Sequence, residues 1–297
     1  MKSATWCGWH LPDRVRDAKE NTIRHAAACG EKRTEMDKIL AVTNQKGGVG
    51  KTTTSVNLAA SLAATKRRVL LIDMDPQGNA TMGSGQDKHE LTHSAYDVLT
   101  RQCSAEQAIV TGLEAGYHLI GANNDLVAAE VELMNAIGRE LRLKQALEAV
   151  RDRYDFILID CAPSLSMLTV NGLVAADGVI IPMQCEYFAL EGLAALTDTI
   201  DQVRESLNPR LHISGILRTM FDPRNTLATD VSAELLAHFP DRLFDTIIPR
   251  NVRLAEAPAH GMPVLLYDKA SRGAMSYLAL AAELLRRQDT PREAATA

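Results

Sequence analysis

A doubly wound α/β fold with a mostly parallel sheet is predicted by three observations. Short apolar, β-rich runs alternate with segments of helical apolar spacing from residue 36 to residue 287. Several of those runs are apolar throughout rather than alternating, as strands covered by helices on both faces must be. A glycine-rich octet, Lys46-Gly47-Gly48-Val49-Gly50-Lys51-Thr52-Thr53, stands between the first run and the first helix. A loop in that place cradles phosphate at the carboxyl end of the sheet.

The elements follow in order. Residues 39–43 are short, apolar and suited to a buried strand, and residues 55–63 carry helical apolar spacing beyond the loop. A second strand is expected at 68–73 and a short third at 117–120. An amphipathic helix over 141–150 leads to a fourth strand at 155–160. A fifth is expected at 178–182 and a sixth at 211–217, with helices over 189–206, 226–238 and 272–287. The polar, alanine-rich tail 288–297 is expected to be flexible. Residues 1–35 lack a sustained period and are expected to be a disordered extension or the product of an upstream start codon. They contain Cys7, His10, His25 and Cys29, whose spacing is permissive for zinc but also arises by chance.

Composition narrows the function classes. The 297 residues are 46% hydrophobic and only 4% aromatic, so aliphatic side chains must build the core. No apolar run approaches the ~20 residues that cross a bilayer, and the first residues offer no signal-peptide core. Five cysteines without framework spacing fit a reducing, cytoplasmic setting. Net charge is −5, and residues 1–35 hold seven Lys/Arg against five Asp/Glu, leaving −7 for the remainder. Any nucleic-acid binding must then come from a few placed arginines rather than a global field.

The octet carries the chemistry. Its glycines let backbone N–H groups close around phosphate, Lys51 reaches the β- and γ-phosphates, and the Thr52 hydroxyl suits Mg²⁺. Gln45 stands where the ordinary loop has its first glycine, and Lys46 adds a second cation. Two strands end in acids. Asp160 closes the fourth after four apolar residues, an arrangement that holds magnesium. Asp73 and Asp75 end the second, in Asp73-Met74-Asp75-Pro76-Gln77-Gly78-Asn79. Asp75 is the candidate to orient the attacking water and joins Thr52 and Asp160 as a candidate metal ligand, while Asp73 is expected to brace the turn. Asp160 as a helix cap and Asp75 as a simple turn former are the structural alternatives. Cys161 and Cys185 read as small buried residues, because an iron–sulfur cluster needs four thiolates.

These residues resemble the deviant Walker A loop of the ParA/MinD ATPases. Longer strings narrow the resemblance to the chromosomal ParA, or Soj, branch. They are Thr43-Asn44-Gln45-Lys46, the Asp73–Asn79 segment, Gln184-Cys185-Glu186-Tyr187-Phe188-Ala189-Leu190-Glu191-Gly192, and Ile248-Pro249-Arg250-Asn251-Val252-Arg253-Leu254-Ala255-Glu256-Ala257-Pro258. The resemblance covers residues 36–287 as one P-loop NTPase domain. It implies ATP and Mg²⁺ as cofactors, and slow ATP hydrolysis by Lys46, Lys51, Asp75 and Asp160. It also implies a homodimer with two ATP molecules at its interface. Lys46 would cross to the partner's ATP, and Gly47 would stay small because the opposing loop comes close. Pro249 and Asn251 would contact adenine. Arg224 and Arg253 would bind double-stranded DNA without sequence preference, with Arg218, Arg250 and Arg272 as helpers. A ParB-type protein would stimulate hydrolysis, placing the chain in the cytoplasm on the nucleoid, serving a chromosome or plasmid. Asn225-Thr226 reverses an order common in the family.

The competing class is a membrane-associated positioning ATPase of the MinD type, which ends in a basic amphipathic helix. Here Leu284-Leu285-Arg286-Arg287 runs into a polar tail with no apolar face. An adaptor without turnover, and an electron-transfer ATPase of the nitrogenase iron-protein type, fit the acids and cysteines less well.

Overall fold

A computed structural model describes residues 37–289. The candidate zinc ligands, most of the polar tail and the start of the chain lie outside those residues. Eight strands form one sheet in the order β3-β4-β2-β5-β1-β6-β7-β8. They are β1 Ile39–Val42, β2 Val69–Met74, β3 Ile109–Val110, β4 His118–Ile120, β5 Phe156–Cys161, β6 Gly178–Gln184, β7 His212–Phe221 and β8 Leu243–Pro249. Every pair is parallel except β3 with β4. The expected doubly wound sheet is therefore the observed one.

The principal helices are α1 Lys51–Ala64, α2 Asn79–Gly83, α3 Leu126–Leu133, α4 Arg142–Glu148, α5 Met167–Ala175, α6 Ala189–Ser206, α7 Thr226–His238, α8 Val252–Glu256 and α9 Arg272–Asp289. They divide between two apolar layers. Leu58 and Leu62 of α1 and Tyr277, Leu280 and Leu284 of α9 pack with Leu40, Val42, Leu71 and Leu158 on one face of the sheet. Leu133, Leu147, Leu168, Leu196 and Leu235, from five other helices, pack with Ile39, Ile72, Ile159 and Ile181 on the opposite face. The two faces of β1, β2 and β5 are thus both buried, which is why these strands are written without polar alternation.

Two strands were not legible in the sequence. β8 is interrupted by exposed Asp245 and half-buried Thr246, so its apolar run is broken. β3 is two residues long and pairs only with the short β4. The strands expected to end at 182 and 217 run on to Gln184 and Phe221, carrying their loops further over the carboxyl edge. The helix expected over 141–150 begins with a 3₁₀ turn, Arg139–Leu141, and is α-helical from Arg142.

β1 sits where the chain order reverses, with β5 and β2 on one side and β6, β7 and β8 on the other. In open α/β sheets ligands bind outside the carboxyl ends of the strands at such a point. The glycine loop leaves β1 there.

Candidate functional site

The loop is shaped by left-handed backbone at Gly48 (φ +73°) and Gly50 (φ +88°), which favours glycine. Nothing in this chain lies within 4 Å of where a Cβ on Gly47 or Gly48 would stand, so the space in front of both is clear. α1 begins directly behind, with no side-chain cap and no acidic residue in its first turn. Its N-terminal N–H groups and dipole are left for an anion. The loop is anchored from outside. Thr219 Oγ1 of β7 donates to Val49 O at 2.7 Å, Asn44 Nδ2 donates to Pro182 O at 2.8 Å, and Lys46 N donates to Asn44 Oδ1 at 2.9 Å.

The two lysines part company. Lys51 is buried, and its Nζ donates to Lys46 O at 3.0 Å across the loop. Burial pushes its ammonium down from the ordinary lysine range, with Asp160 and Asp75 opposing the shift. Lys46 points outward and pairs with Glu186 in the segment after β6, both side chains being 44% exposed. An ion pair so exposed contributes at most about 1 kcal/mol, so it restrains Lys46 without locking it.

The acids are held by neighbours remote in sequence. Asp73 and Asp160 are opposite one another on β2 and β5, both fully buried. Burial is the largest cause raising both carboxyls above the ordinary range, and Asp73 lifts Asp160 further by like-charge repulsion. Asp73 accepts hydrogen bonds from Thr81 N and Thr81 Oγ1, each at 2.8 Å, and from Asp75 N at 3.1 Å. It braces the turn, as expected. Asp75 lies half-buried on that turn and accepts from Gln77 N at 2.9 Å. Asp160 accepts from Ser55 Oγ at 2.7 Å through Oδ1, and Thr52 also pulls its carboxyl down. Its Oδ2 is buried without a well-formed hydrogen bond.

That orphaned oxygen tests the fit of a magnesium ion. A buried carboxylate oxygen left unpaired costs free energy unless a cation or water meets it. Among the described residues no cluster of three or more His, Cys, Asp or Glu is arranged to hold a metal. Mg²⁺ needs no such cluster, because it keeps waters and takes one or two protein oxygens together with substrate phosphates. Thr52 and Asp160 fit that donor set.

The loops after β7 and β8 adjoin. Phe221 and Pro249 are register partners, and Arg250 N donates to Phe221 O at 3.3 Å. Asn251 caps α8 by accepting from Arg253 N at 2.9 Å. Arg224 is exposed and forks onto Asp222 at 2.7 and 2.9 Å, while Arg253 pairs with Glu256 at 2.7 Å and Asp268 at 3.3 Å. Arg250 and Arg272 are exposed. Arg218 differs from these: its guanidinium turns inward to Ser232 Oγ at 2.9 Å and Phe244 O at 2.8 Å, ties that hold α7 and β8 to β7.

Comparison with known proteins places this site in a family. Residues 37–213 match the AAA domain model. The chain is 53% identical to the sporulation initiation inhibitor protein Soj of Bacillus subtilis over 84% of its length and 98% of the relative's. It is 51% identical to the chromosome partitioning protein ParA of Myxococcus xanthus, over 86% and 90%. The chain belongs to the ParA/Soj family of P-loop ATPases. A solved structure of cobyrinic acid a,c-diamide synthase from Mycobacterium smegmatis with bound ADP and magnesium superposes with a TM-score of 0.76 at 38% identity, covering 86% of this chain and 97% of the other.

Within the ParA/Soj frame, several residues at the site went unremarked in the sequence. Ser55 lies one helical turn beyond Lys51, a spacing that could have flagged it. Thr81 and Thr219 gave no local signal. Glu186 was visible only as part of a longer string, with nothing to tie it to Lys46. Cys161 and Cys185 are buried and burial pushes both thiols up, which suits core residues rather than thiolate ligands. The apolar face of α9 packs on α1 and β8. No described helix is long and apolar enough to cross a membrane.

Proposed function

We propose that this chain is the ATP-driven switch of a DNA-partitioning system, using ATP and Mg²⁺. The divergence of the two lysines carries the reading. Lys51 faces the chain's own phosphate cradle, whereas Lys46 is turned outward and held by one weak ion pair. A second cation is of little use to a cradle already served by Lys51. It suits a second subunit's nucleotide, where it would neutralise charge developing on the phosphates. Leu165, Tyr187 and Phe188, in the segments that follow β5 and β6, are exposed, and the clear space before Gly47 leaves room for an opposing loop.

In this reading Thr52 and Asp160, with Asp75 as a further candidate ligand, would hold a magnesium ion, which would neutralise charge on the phosphates. Ser55 orients Asp160. Asp75, on its turn at the carboxyl edge, would align the attacking water, and Asp73 keeps that turn in place. Pro249 and Asn251 would contact the base. The ATP-bound dimer presents Arg224 and Arg253 from two subunits to DNA phosphates, with Arg250 and Arg272 as helpers. A ParB-type partner accelerates a slow turnover and so releases the protein from the nucleoid. The domain spans residues 36–287.

The test is Lys46→Ala. ATP binding should persist, because Lys51 is intact, while ATPase activity in the presence of DNA and the ParB-type partner should fall by about 100-fold or more. Normal stimulated turnover in that variant would remove the role assigned to Lys46. ATP-dependent recruitment to anionic vesicles, with none to DNA, would favour the MinD-type alternative.

A further inference from the structure

At the opposite pole of the sheet, below the amino ends of β2, β4 and β5, lies a recess of about 300 Å³. Lys66, Arg67, Arg68 and Arg153 line it, with His118 and Tyr154. This is a size suited to a small ligand. The cations arrive from two directions. Lys66, Arg67 and Arg68 come from the turn that ends α1, and Arg153 comes from the segment that enters β5.

The turn is built in a specific way. Lys66 N donates to Ala63 O at 2.8 Å and Arg67 N to Leu62 O at 3.3 Å, the paired bonds of a Schellman cap. The left-handed position of that cap is usually glycine, yet here Lys66 occupies it at φ +64°. The position after the left-handed one, where an apolar contact commonly forms, holds Arg67. The sequence thus accepts backbone strain and forgoes a packing contact, and both departures bring a cation to the recess.

The cations differ in how they are engaged. Arg68 is forked onto Asp155, and Arg153 pairs with Glu106 at 2.6 Å. Lys66 and Arg67 make no ion pair among the described residues. The recess therefore carries an excess positive charge. His118, whose Nδ1 lies 2.8 Å from the Tyr154 hydroxyl, is held below the ordinary histidine range by burial and by Arg153. It adds a polar ring without adding charge.

We propose that this recess is a second anion-binding site, for a compact ligand carrying a pyrophosphate or an equivalent pair of phosphate groups. The Arg67 guanidinium and the Lys66 ammonium, neither engaged in an ion pair among the described residues, match phosphate oxygens in geometry, and the paired Arg68 and Arg153 stand beside them. The rim argues for a compact anion rather than a polymer. Glu106 and Asp152 are exposed nearby, and Glu114 is exposed two residues before Gly116. A long polyanion leaving the recess would meet their like charge. The site is distinct from the nucleotide site. The fourteen residues of α1 separate the two, about 20 Å along its axis.

Pyrophosphate is the probe, added to the full chain with ADP saturating the P-loop. Calorimetry should show one further binding event per chain, and the His118 imidazole NMR signal should move with it. The double variant Lys66→Ala/Arg67→Ala should bind pyrophosphate about tenfold more weakly or worse, with ADP affinity unchanged. Both side chains are exposed, so the fold should tolerate their loss. A Lys51→Ala chain, impaired at the P-loop, should retain the event. Absence of the event, indifference to the double substitution, or an unmoved His118 signal would each overturn the proposal. Loss of DNA retention in the double variant without a pyrophosphate event would reassign the cluster to nucleic acid and would equally overturn it.

Discussion

Asp160 shows what a residue gives up to serve this site. It is buried opposite Asp73, and its Oδ2 lacks a good partner. Both carboxyls bind protons more tightly folded than unfolded, so the stability they contribute is present below the ordinary carboxylate range. It is lost as pH rises through the elevated values towards neutrality. Asp160→Asn removes one buried negative charge and keeps an oxygen for Ser55. The nucleotide-free variant should melt about 2–4 °C higher than the parent at pH 8, and the gain should fade towards pH 4. Magnesium-dependent ATP binding should weaken in the same protein. A lower melting temperature at pH 8 would show that Asp160 stabilises the fold instead. The residues whose chemistry demands fixed spacing, Lys51, Thr52 and Asp160, could be read from the chain. Those that hold them could not, since Thr219 reaches Val49 across 170 residues and Glu186 reaches Lys46 across 140.

Elements were legible where burial wrote a continuous pattern. β2, β5 and β6 are buried along nearly their whole lengths, and each was anticipated within a few residues. β8 escaped because it is an edge strand whose sequence alternates imperfectly. Glu283 of α9 is almost fully buried and accepts from Asp245 N at 2.9 Å and Thr246 N at 2.8 Å, while Arg287 pairs with it at 2.7 Å. Burial alone would raise this carboxyl, but those N–H groups and Arg287 outweigh it and hold it low. The contact satisfies two N–H groups of an edge strand that would otherwise offer itself for pairing. Glu283→Ala should cost about 2–4 kcal/mol by urea denaturation, because it leaves both N–H groups and the Arg287 charge without their partner. ADP affinity should be unchanged, since Glu283 meets Asp245 and Thr246, whereas the residues of this strand and its loop assigned to the base, Pro249 and Asn251, lie at its other end. Weakened ADP binding at full stability would mean that α9 supports the site rather than the sheet edge.

At the scale of the whole molecule, charge decides what kind of DNA binding is available. The chain is net negative, so long-range attraction to DNA is weak and the affinity must come from a few phosphate contacts on one face. In the proposed reading Arg224, in the loop after β7, and Arg253, in the first turn of α8 after β8, meet that need, both lying beyond the carboxyl ends of neighbouring strands. Each is paired to carboxylates in the single chain, Arg224 to Asp222 and Arg253 to Glu256 and Asp268. One subunit therefore presents muted charge. Two subunits brought together by ATP would supply four such arginines to one duplex, enough for phosphate to displace the surface ion pairs. Binding of a random-sequence duplex should then require ATP and fail with ADP. Each phosphate contact contributes about 0.9 to the slope of log affinity against log salt, so Arg224→Ala/Arg253→Ala should flatten that slope by about 3–4. The ATP-bound dimer itself should still form, as judged by light scattering. A slope unchanged by the double substitution would place the DNA face elsewhere on the dimer, whereas loss of the dimer would show that the arginines act at the subunit interface.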